Sequence, residues 1–211
     1  MTIEKLKTLG IAGVDYGSKL AGTTAISFID RNGDLQCLQS EKKQDADQWL
    51  LERMGEHMIQ SVFIDAPLSL PIRYSTGKGD EFFYRKGDKE LSAMSPMFLG
   101  GLTARSMKLA DQLKKERVEC HEIYPGDLAR HLNLKSIGYK AKGLGDCLKQ
   151  ISSVDELGEL ASRQQISNWH RFDSLLALII AKAFTQGNAQ KIGDAEEGQI
   201  IVYRPEQGQT I

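Results

Sequence analysis

Four acidic residues interrupt segments that are otherwise apolar. Asp15 and Asp65 each end a short apolar run, Glu122 lies on the apolar face of a third segment, and Asp173 lies at the edge of the apolar face of a helical pattern. Polar residues in such places are uncommon unless they are paired or take part in function. We therefore treat these four carboxylates as the candidate site.

The chemistry that such acids could perform follows from their charge. Carboxylates that converge in a partly buried site repel one another unless a cation neutralises them. Hard oxygen ligands favour Mg²⁺ or Mn²⁺, which retain water and accept phosphate oxygens. Two such ions about 4 Å apart can activate water and stabilise the leaving oxygen of a phosphodiester. The acids thus predict metal-dependent phosphodiester hydrolysis.

Each acid also has a purely structural interpretation. Asp15 could end its strand, Asp65 could cap a turn before Pro67, Glu122 could pair with an arginine, and Asp173 could stabilise the first turn of its helix through the helix dipole. Any one of these acids alone would favour the structural interpretation. Their recurrence at the ends of predicted strands favours a shared site.

The predicted elements place two of these acids together. Residues 11–15, 23–29 and 35–38 have the composition of strands, and Asn32-Gly33 is typical of a tight hairpin, so the chain is expected to open with an antiparallel three-strand meander. A helix over 45–59 leads into a buried strand at 62–65. Such a crossover returns parallel to an earlier strand, so we expect Asp15 and Asp65 at the same sheet edge.

The remainder of the chain completes an α/β pattern. Residues 67–101 form a long loop insertion with little periodicity, and loops of this length in a compact domain tend to be functional. We expect a helix from Leu102 to Leu113, a strand over 118–124, a long apolar helix over 172–183 and a terminal strand over 199–203. We predict one domain, over residues 1–211, with a mixed sheet flanked by helices.

Four short motifs resemble a known family. Gly13-Val14-Asp15-Tyr16-Gly17, Ile64-Asp65-Ala66-Pro67-Leu68, Glu122-Ile123-Tyr124-Pro125-Gly126 and the segment from His170 to Ala177 occur in an order similar to that of the predicted nucleases of the ribonuclease H-like superfamily, which are relatives by fold of the Holliday-junction resolvases. The resemblance covers most of the chain. It implies a ribonuclease H-like fold with a metal-binding triad of Asp15, Asp65 and Asp173, and Glu122 as a further ligand or supporting acid.

Two further residues are candidates for the site. Resolvases often carry a second acid on the last helix, where this chain has His170, one helical turn from Asp173; a histidine there can bind metal or relay protons. Arg105 lies near the start of a helix entered through Gly100-Gly101, where free amides favour anions, and we predict that it contacts phosphate. Lys78, Arg85 and Lys86 are weaker phosphate candidates and could simply be solvated charges.

Composition limits the class of protein. The 211 residues are 41% hydrophobic and carry a net charge of -1, which argues against coating nucleic acid by bulk electrostatics. Residues 67–117 nevertheless hold ten Lys/Arg and six Asp/Glu, so this stretch could meet an anionic partner such as nucleic acid. Three dispersed cysteines predict reduced thiols. With no apolar stretch for a bilayer or a secretion signal, we expect a cytoplasmic protein without a membrane partner; the oligomeric state is open, a homodimer included.

Two other functions compete with a nuclease. The segment Asp15-Tyr16-Gly17-Ser18, followed by Thr23-Thr24, also resembles the first phosphate loop of actin-like and sugar-kinase-like domains, although those proteins enclose nucleotide between two domains. A non-catalytic ribonuclease H-like module, in which the acids serve only structure, is the third hypothesis. The sequence leaves open whether the substrate is DNA, RNA or a small phosphorylated molecule.

Overall fold

A five-stranded mixed sheet forms the centre of the protein. The structure is a computed structural model and describes residues 3–162 and 165–204. The strands of the sheet lie in the order β3-β2-β1-β4-β5, and they are β1 (Ile11–Asp15), β2 (Ala25–Ile29), β3 (Leu35–Gln39), β4 (Ser61–Asp65) and β5 (Glu119–Glu122).

The strand directions confirm the predicted connections. β1 pairs antiparallel with β2, and β2 with β3, which is the expected meander. The turn between β2 and β3 is held by the Asp30 carboxylate, which accepts hydrogen bonds from the amides of Asn32 and Asp34 at 2.8 and 3.0 Å. β4 pairs parallel with β1, and β5 parallel with β4. The crossover helix therefore returns the chain as the sequence predicts.

Helices cover both faces of this sheet. The helices of the described residues are α1 (Ile3–Thr8), α2 (Ala46–Glu56), α3 (Ile72–Thr76), α4 (Lys86–Leu91), α5 (Pro96–Leu99), α6 (Gly101–Lys115), α7 (Pro125–His131), α8 (Leu144–Ser152), α9 (Glu156–Leu160) and α10 (Trp169–Gln186), with a 3-10 turn at Leu134–Ile137. None of them combines the length and apolarity that a membrane crossing requires.

Two apolar cores result from the alternation of side chains along the strands. On one face, Ile11 and Phe63 pack beneath α10 together with α7, α8 and α9. On the other face, Val14 and Ile64 pack beneath α2 and α6. Odd-numbered residues of β1 and β4 thus point towards α10, and even-numbered residues point towards α2 and α6. This parity decides which acids can meet.

α10 is the helix that the sequence indicates most strongly. The Asn168 side chain caps its start by accepting hydrogen bonds from the amides of His170 and Arg171, and Gly187 ends it in the left-handed conformation at φ 81°. Residues 172–183 are all buried, because the helix lies across the sheet with Gly13 directly beneath it. A Cβ atom at position 13 would lie 2.6 Å from Ala177 C and 2.7 Å from Ser174 O.

Two features differ from the sequence-based expectation. The insertion at 67–101 is not free of regular structure, because it contains α3, α4 and α5. The strand predicted at 199–203 is β7 (Ile200–Tyr203), and it pairs antiparallel with β6 (Ala189–Ile192) in a separate two-stranded sheet. β6 was not predicted, since its central residues are exposed and polar. The three cysteines are free thiols, as predicted.

The contact at Gly13 yields a first prediction. Gly13→Ala forces a methyl group against the backbone of α10, where neither element can yield cheaply, so we expect a loss of about 3 kcal/mol or more in the free energy of unfolding. Gly55→Ala is the matched control, because no atom lies within 4 Å of its Cβ position and it is in a helix; it should gain about 0.5 kcal/mol. Urea denaturation of both variants measures this, and equal stabilities would contradict the packing.

Candidate functional site

Asp15 and Asp65 lie side by side at the carboxyl ends of neighbouring strands. They are register partners in the parallel pair of β1 and β4, so both side chains emerge on the face covered by α10. This confirms that the two acids share one edge of the sheet. Register partners of this kind lie close enough for their charges to repel.

α10 brings two more predicted residues to the same place. The His170 ring nitrogen Nδ1 lies 2.8 Å from Asp15 Oδ2, and this hydrogen bond raises the pKa of His170. Asp173, one turn further along, is only 2% exposed. Burial, with a contribution from the charge of Asp15, raises the pKa of Asp173 to about 6. The structure therefore brings Asp15, Asp65, Asp173 and His170 into one cluster, which we call the carboxylate cluster.

Two residues of this site were missed by the sequence analysis. The Tyr139 hydroxyl donates a hydrogen bond of 2.7 Å to Asp173 Oδ1, and Lys140 Nζ forms an ion pair with Asp173 Oδ2. Burial of Lys140 disfavours its charge, but Asp173 outweighs this effect and the pKa of Lys140 is raised. The segment between Gly138 and Gly143 has no periodicity, and nothing in the sequence links it to an aspartate more than 30 residues away.

Asp65 is the acid of the cluster without a hydrogen-bonded counter-charge. Within residues 3–162 and 165–204, no side-chain hydrogen bond or ion pair to its carboxylate is found, in contrast to Asp15 and Asp173. Burial first, and then the charges of Asp15 and Asp173, raise the pKa of Asp65 well above its usual value, although the nearby charge of Lys140 opposes this shift. A carboxylate in this situation is stabilised by an added cation.

The cluster fits a divalent metal in its chemistry but not in its present arrangement. Its oxygen donors are those that Mg²⁺ and Mn²⁺ prefer. Among the described residues, however, no group of three or more His, Cys, Asp or Glu side chains is arranged to hold a metal ion. Both oxygens of Asp173 are already engaged, by Tyr139 and by Lys140. A metal held by three aspartates would therefore compete with the Lys140 ammonium for Asp173.

Glu122 does not join the cluster. Its register partner in β4 is Ile64, not Asp65, so its side chain leaves the sheet on the face opposite to α10. There both of its carboxylate oxygens bind the Arg85 guanidinium, at 2.5 and 2.7 Å, and one also accepts the Leu68 amide at 2.8 Å. The metal-binding role predicted for Glu122 gains no support from this placement.

The partner of Glu122 is a buried arginine. Arg85 is 1% exposed and contacts Asp88 as well as Glu122, with a further hydrogen bond to Ser69. The expectation that Arg85 is a solvated loop charge is therefore wrong, and the phosphate contact considered for it stays a prediction. Instead, the insertion places the Arg85 guanidinium in the core, where it links α4 to the end of β5.

Arg105 is also engaged within the protein. Its guanidinium pairs with Asp47 at 2.6 Å, donates to the Gly17 carbonyl at 3.1 Å and lies 4.9 Å from the Tyr16 ring centroid. These contacts join α6, α2 and the turn after β1. The phosphate contact predicted for Arg105 remains a prediction, and it would require this residue to give up the Asp47 pair.

The turn after β1 has similarly little capacity for phosphate. The Gly17 amide donates to the Thr24 hydroxyl at 3.1 Å, and the Ser18 amide donates to the Thr23 hydroxyl at 2.9 Å. In a phosphate loop these amides would face the ligand. Their internal hydrogen bonds weigh against the actin-like or sugar-kinase-like alternative.

A pocket opens beside the two register-paired aspartates. Its volume is about 350 Å³, which lies within the range of small-ligand sites. Asp15 and Asp65 line it together with the charged residues Arg85, Asp88 and Glu122, and apolar side chains of the insertion and the start of α6 also line it, among them Ala93, Met94, Leu99 and Leu102. The acids therefore face a cavity large enough for a nucleotide-sized group.

Comparisons with known proteins identify no relative. The chain matches no family model, no curated protein and no solved structure.

The Arg85 network yields a second prediction. Arg85→Met leaves two buried carboxylates without a counter-charge, so we expect a loss of about 3 to 5 kcal/mol in the free energy of unfolding. Adding Glu122→Leu should recover part of that loss, because one stranded charge is removed. Lys86→Ala is the control, because Lys86 is exposed and its Nζ makes only a long contact of 3.9 Å with Glu90 Oε1. The unfolding midpoint of this variant should not change. Equal effects of the Arg85 and Lys86 variants in urea denaturation would show that the network is unimportant.

Proposed function

We propose that this protein is a metal-dependent hydrolase of phosphodiester bonds in nucleic acid, with a ribonuclease H-like fold. The observation that carries the proposal is the side-by-side placement of Asp15 and Asp65 at one sheet edge, where Asp65 has no hydrogen-bonded counter-charge among the described residues. A carboxylate pair of this kind is suited to an external cation.

The sheet supports the superfamily assignment. The resemblance implies an antiparallel three-strand meander followed by parallel strands, and the five strands have those directions. It also implies an aspartate on the last helix that faces the first strand, and Asp173 of α10 has that position. Fold alone does not establish activity, so the reaction depends on the cluster.

Each residue of the cluster has a distinct role in this proposal. Asp15, Asp65 and Asp173 hold Mg²⁺ or Mn²⁺, which supplies charge stabilisation and an activated water when bound. His170 fixes the orientation of Asp15 through the 2.8 Å hydrogen bond. Because its ring is 38% exposed, His170 can also exchange a proton with solvent. Glu122 lines the same pocket, where its ion pair with Arg85 stabilises the structure, and it does not contact the metal.

The pocket supports a substrate with one anionic and one apolar part. A phosphate would bind near Asp15 and Asp65, which would hold the metal, and a sugar or base would lie against the apolar side chains of Met94 and Leu102. A cavity of about 350 Å³ accepts a single nucleotide and is far too small for a duplex. We therefore favour an unpaired or terminal nucleotide as the reacting group.

A non-catalytic module is the second candidate, and one observation favours it. Asp15 is bonded to His170, and Asp173 to Tyr139 and Lys140, so two of the three acids already have internal partners. Under this hypothesis the cluster maintains the fold, and the pocket binds its ligand without metal.

These two candidates differ in the expected behaviour of Asp65→Asn. If the proposal is right, the wild type cleaves labelled single-stranded, duplex or branched DNA or RNA only with Mg²⁺ or Mn²⁺. The variant should cleave at least about 100-fold more slowly, since a metal ligand is removed. Without metal, the variant should be no less stable than the wild type, because one of three repelling charges is gone.

Asp111→Asn is the matched control for this experiment. Asp111 is an exposed aspartate of α6 that forms a surface ion pair with Lys115, so its variant should cleave at the wild-type rate. Absence of metal-dependent cleavage across the whole panel, together with absence of Mn²⁺ binding by the folded wild type, would favour the non-catalytic module.

A further inference from the structure

Lys140 is the cation that occupies the carboxylate cluster. The cluster contains three aspartates, and the charges that the structure sets against them are the Lys140 ammonium and, when protonated, the His170 ring. His170 bonds Asp15, and Lys140 bonds Asp173. Lys140 therefore supplies the permanent positive charge in the place where a metal ion would be needed.

The backbone around Lys140 is built to hold its side chain in this position. Lys140 itself has a positive φ of 60°, and the Gly143 amide closes the loop by donating to the Gly138 carbonyl at 3.1 Å. The Trp169 ring nitrogen donates to the Ala141 carbonyl at 3.2 Å, which ties the loop to the start of α10. A non-glycine residue with positive φ is uncommon and is maintained only when its surroundings fix it.

The side chain, in contrast, can leave without disturbing the loop. Lys140 is 50% exposed, whereas its partner Asp173 is 2% exposed. Its ammonium is on a flexible stem, so rotation carries it into water while Tyr139 keeps its own hydrogen bond to Asp173. One oxygen of Asp173 then becomes available to another cation.

We propose that Lys140 is the resident counter-ion of the carboxylate cluster and that a divalent metal ion binds by displacing it, so that Lys140 sets the affinity and charge selectivity of the site. This inference rests on the metal site of the proposed function. It accounts for the finding that the described residues hold no ready-made metal-binding group although three aspartates converge.

The exchange predicts that the site prefers divalent ions to monovalent ions. Replacing the ammonium with Na⁺ or K⁺ leaves the charge of the cluster unchanged and brings no electrostatic gain. Replacing it with Mg²⁺ or Mn²⁺ adds one positive charge beside Asp65, the acid without an ion pair of its own among the described residues. Monovalent ions therefore do not displace Lys140 from the cluster.

The test compares Mn²⁺ binding by the folded wild type, Lys140→Gln, Lys140→Arg and Lys142→Gln, measured by calorimetry and by the electron paramagnetic resonance signal of free Mn²⁺ at pH 8. Removing the competing ammonium should tighten Mn²⁺ binding by at least about tenfold in Lys140→Gln. The free energy of a tenfold change is only a small part of the attraction between two close charges. Lys140→Arg keeps the charge and should stay close to the wild type. Lys142 is exposed in the same loop, so its variant controls for the loss of a nearby lysine charge.

Amine labelling measures the displacement of the Lys140 ammonium in the wild-type protein. An acylating reagent followed by mass spectrometry should modify Lys140 several-fold faster when Mn²⁺ is present, because the freed ammonium loses its carboxylate partner, while Lys142 should react at the same rate with and without metal.

The outcomes separate this inference from the proposed function. If the wild type and Lys140→Gln bind Mn²⁺ equally well and Lys140 labelling does not respond to metal, the exchange is refuted and the metal site stands. If neither protein binds Mn²⁺, the proposed metal site fails and the exchange fails with it. Tighter binding by Lys140→Gln alone supports both.

Discussion

The close approach of α10 to β1 at Gly13 is the contact on which the site depends. Since no side chain separates the helix from the strand, the first turns of α10 reach the end of β1. That approach places His170 within hydrogen-bond distance of Asp15 and buries Asp173 beside the sheet. A larger residue at position 13 would lift the helix and separate its polar residues from the strand ends, even if the apolar core were repacked.

Much of the framework could be predicted from local sequence signals. The apolar runs, the Asn32-Gly33 turn and the helix before β4 determine the meander and the parallel return, and the pairing of Asp15 with Asp65 follows from that topology. The apolar pattern of α10 with its Asn168 cap is equally local. These predictions succeeded because each relies on periodicity or on a turn within a few residues.

The predictions that gained no support concern register and long-range pairing. Glu122 has the residue type of a metal ligand, but β5 aligns it with Ile64, and a shift by one position reverses the face of a strand residue. No local signal indicates that Arg85, from an irregular insertion, fills the opposite face. Likewise, Lys140 meets Asp173 only because the loop before α8 is tied to the start of α10.

The insertion serves the interior and the pocket at once. Through Arg85 it neutralises Glu122 and Asp88 in the pocket lining, and through Ala93 and Met94 it adds apolar side chains to the same lining as Asp15 and Asp65. The arrangement of the pocket thus depends on a buried ion pair that itself lines the pocket. Loss of that pair would change the shape of the pocket and lower the stability of the fold.

The acid pair around Arg85 and the carboxylate cluster have different kinds of counter-ion. In one, a guanidinium that is 1% exposed binds two carboxylates, and its planar fork satisfies both at once. Because breaking such a pair leaves buried charges without partners, that cluster is permanent. In the other, the counter-ion is a lysine ammonium that is 50% exposed and bonded to one of three aspartates. A lysine at the surface can be hydrated again at little cost, so the second cluster has the physical properties of a site whose cation can be exchanged.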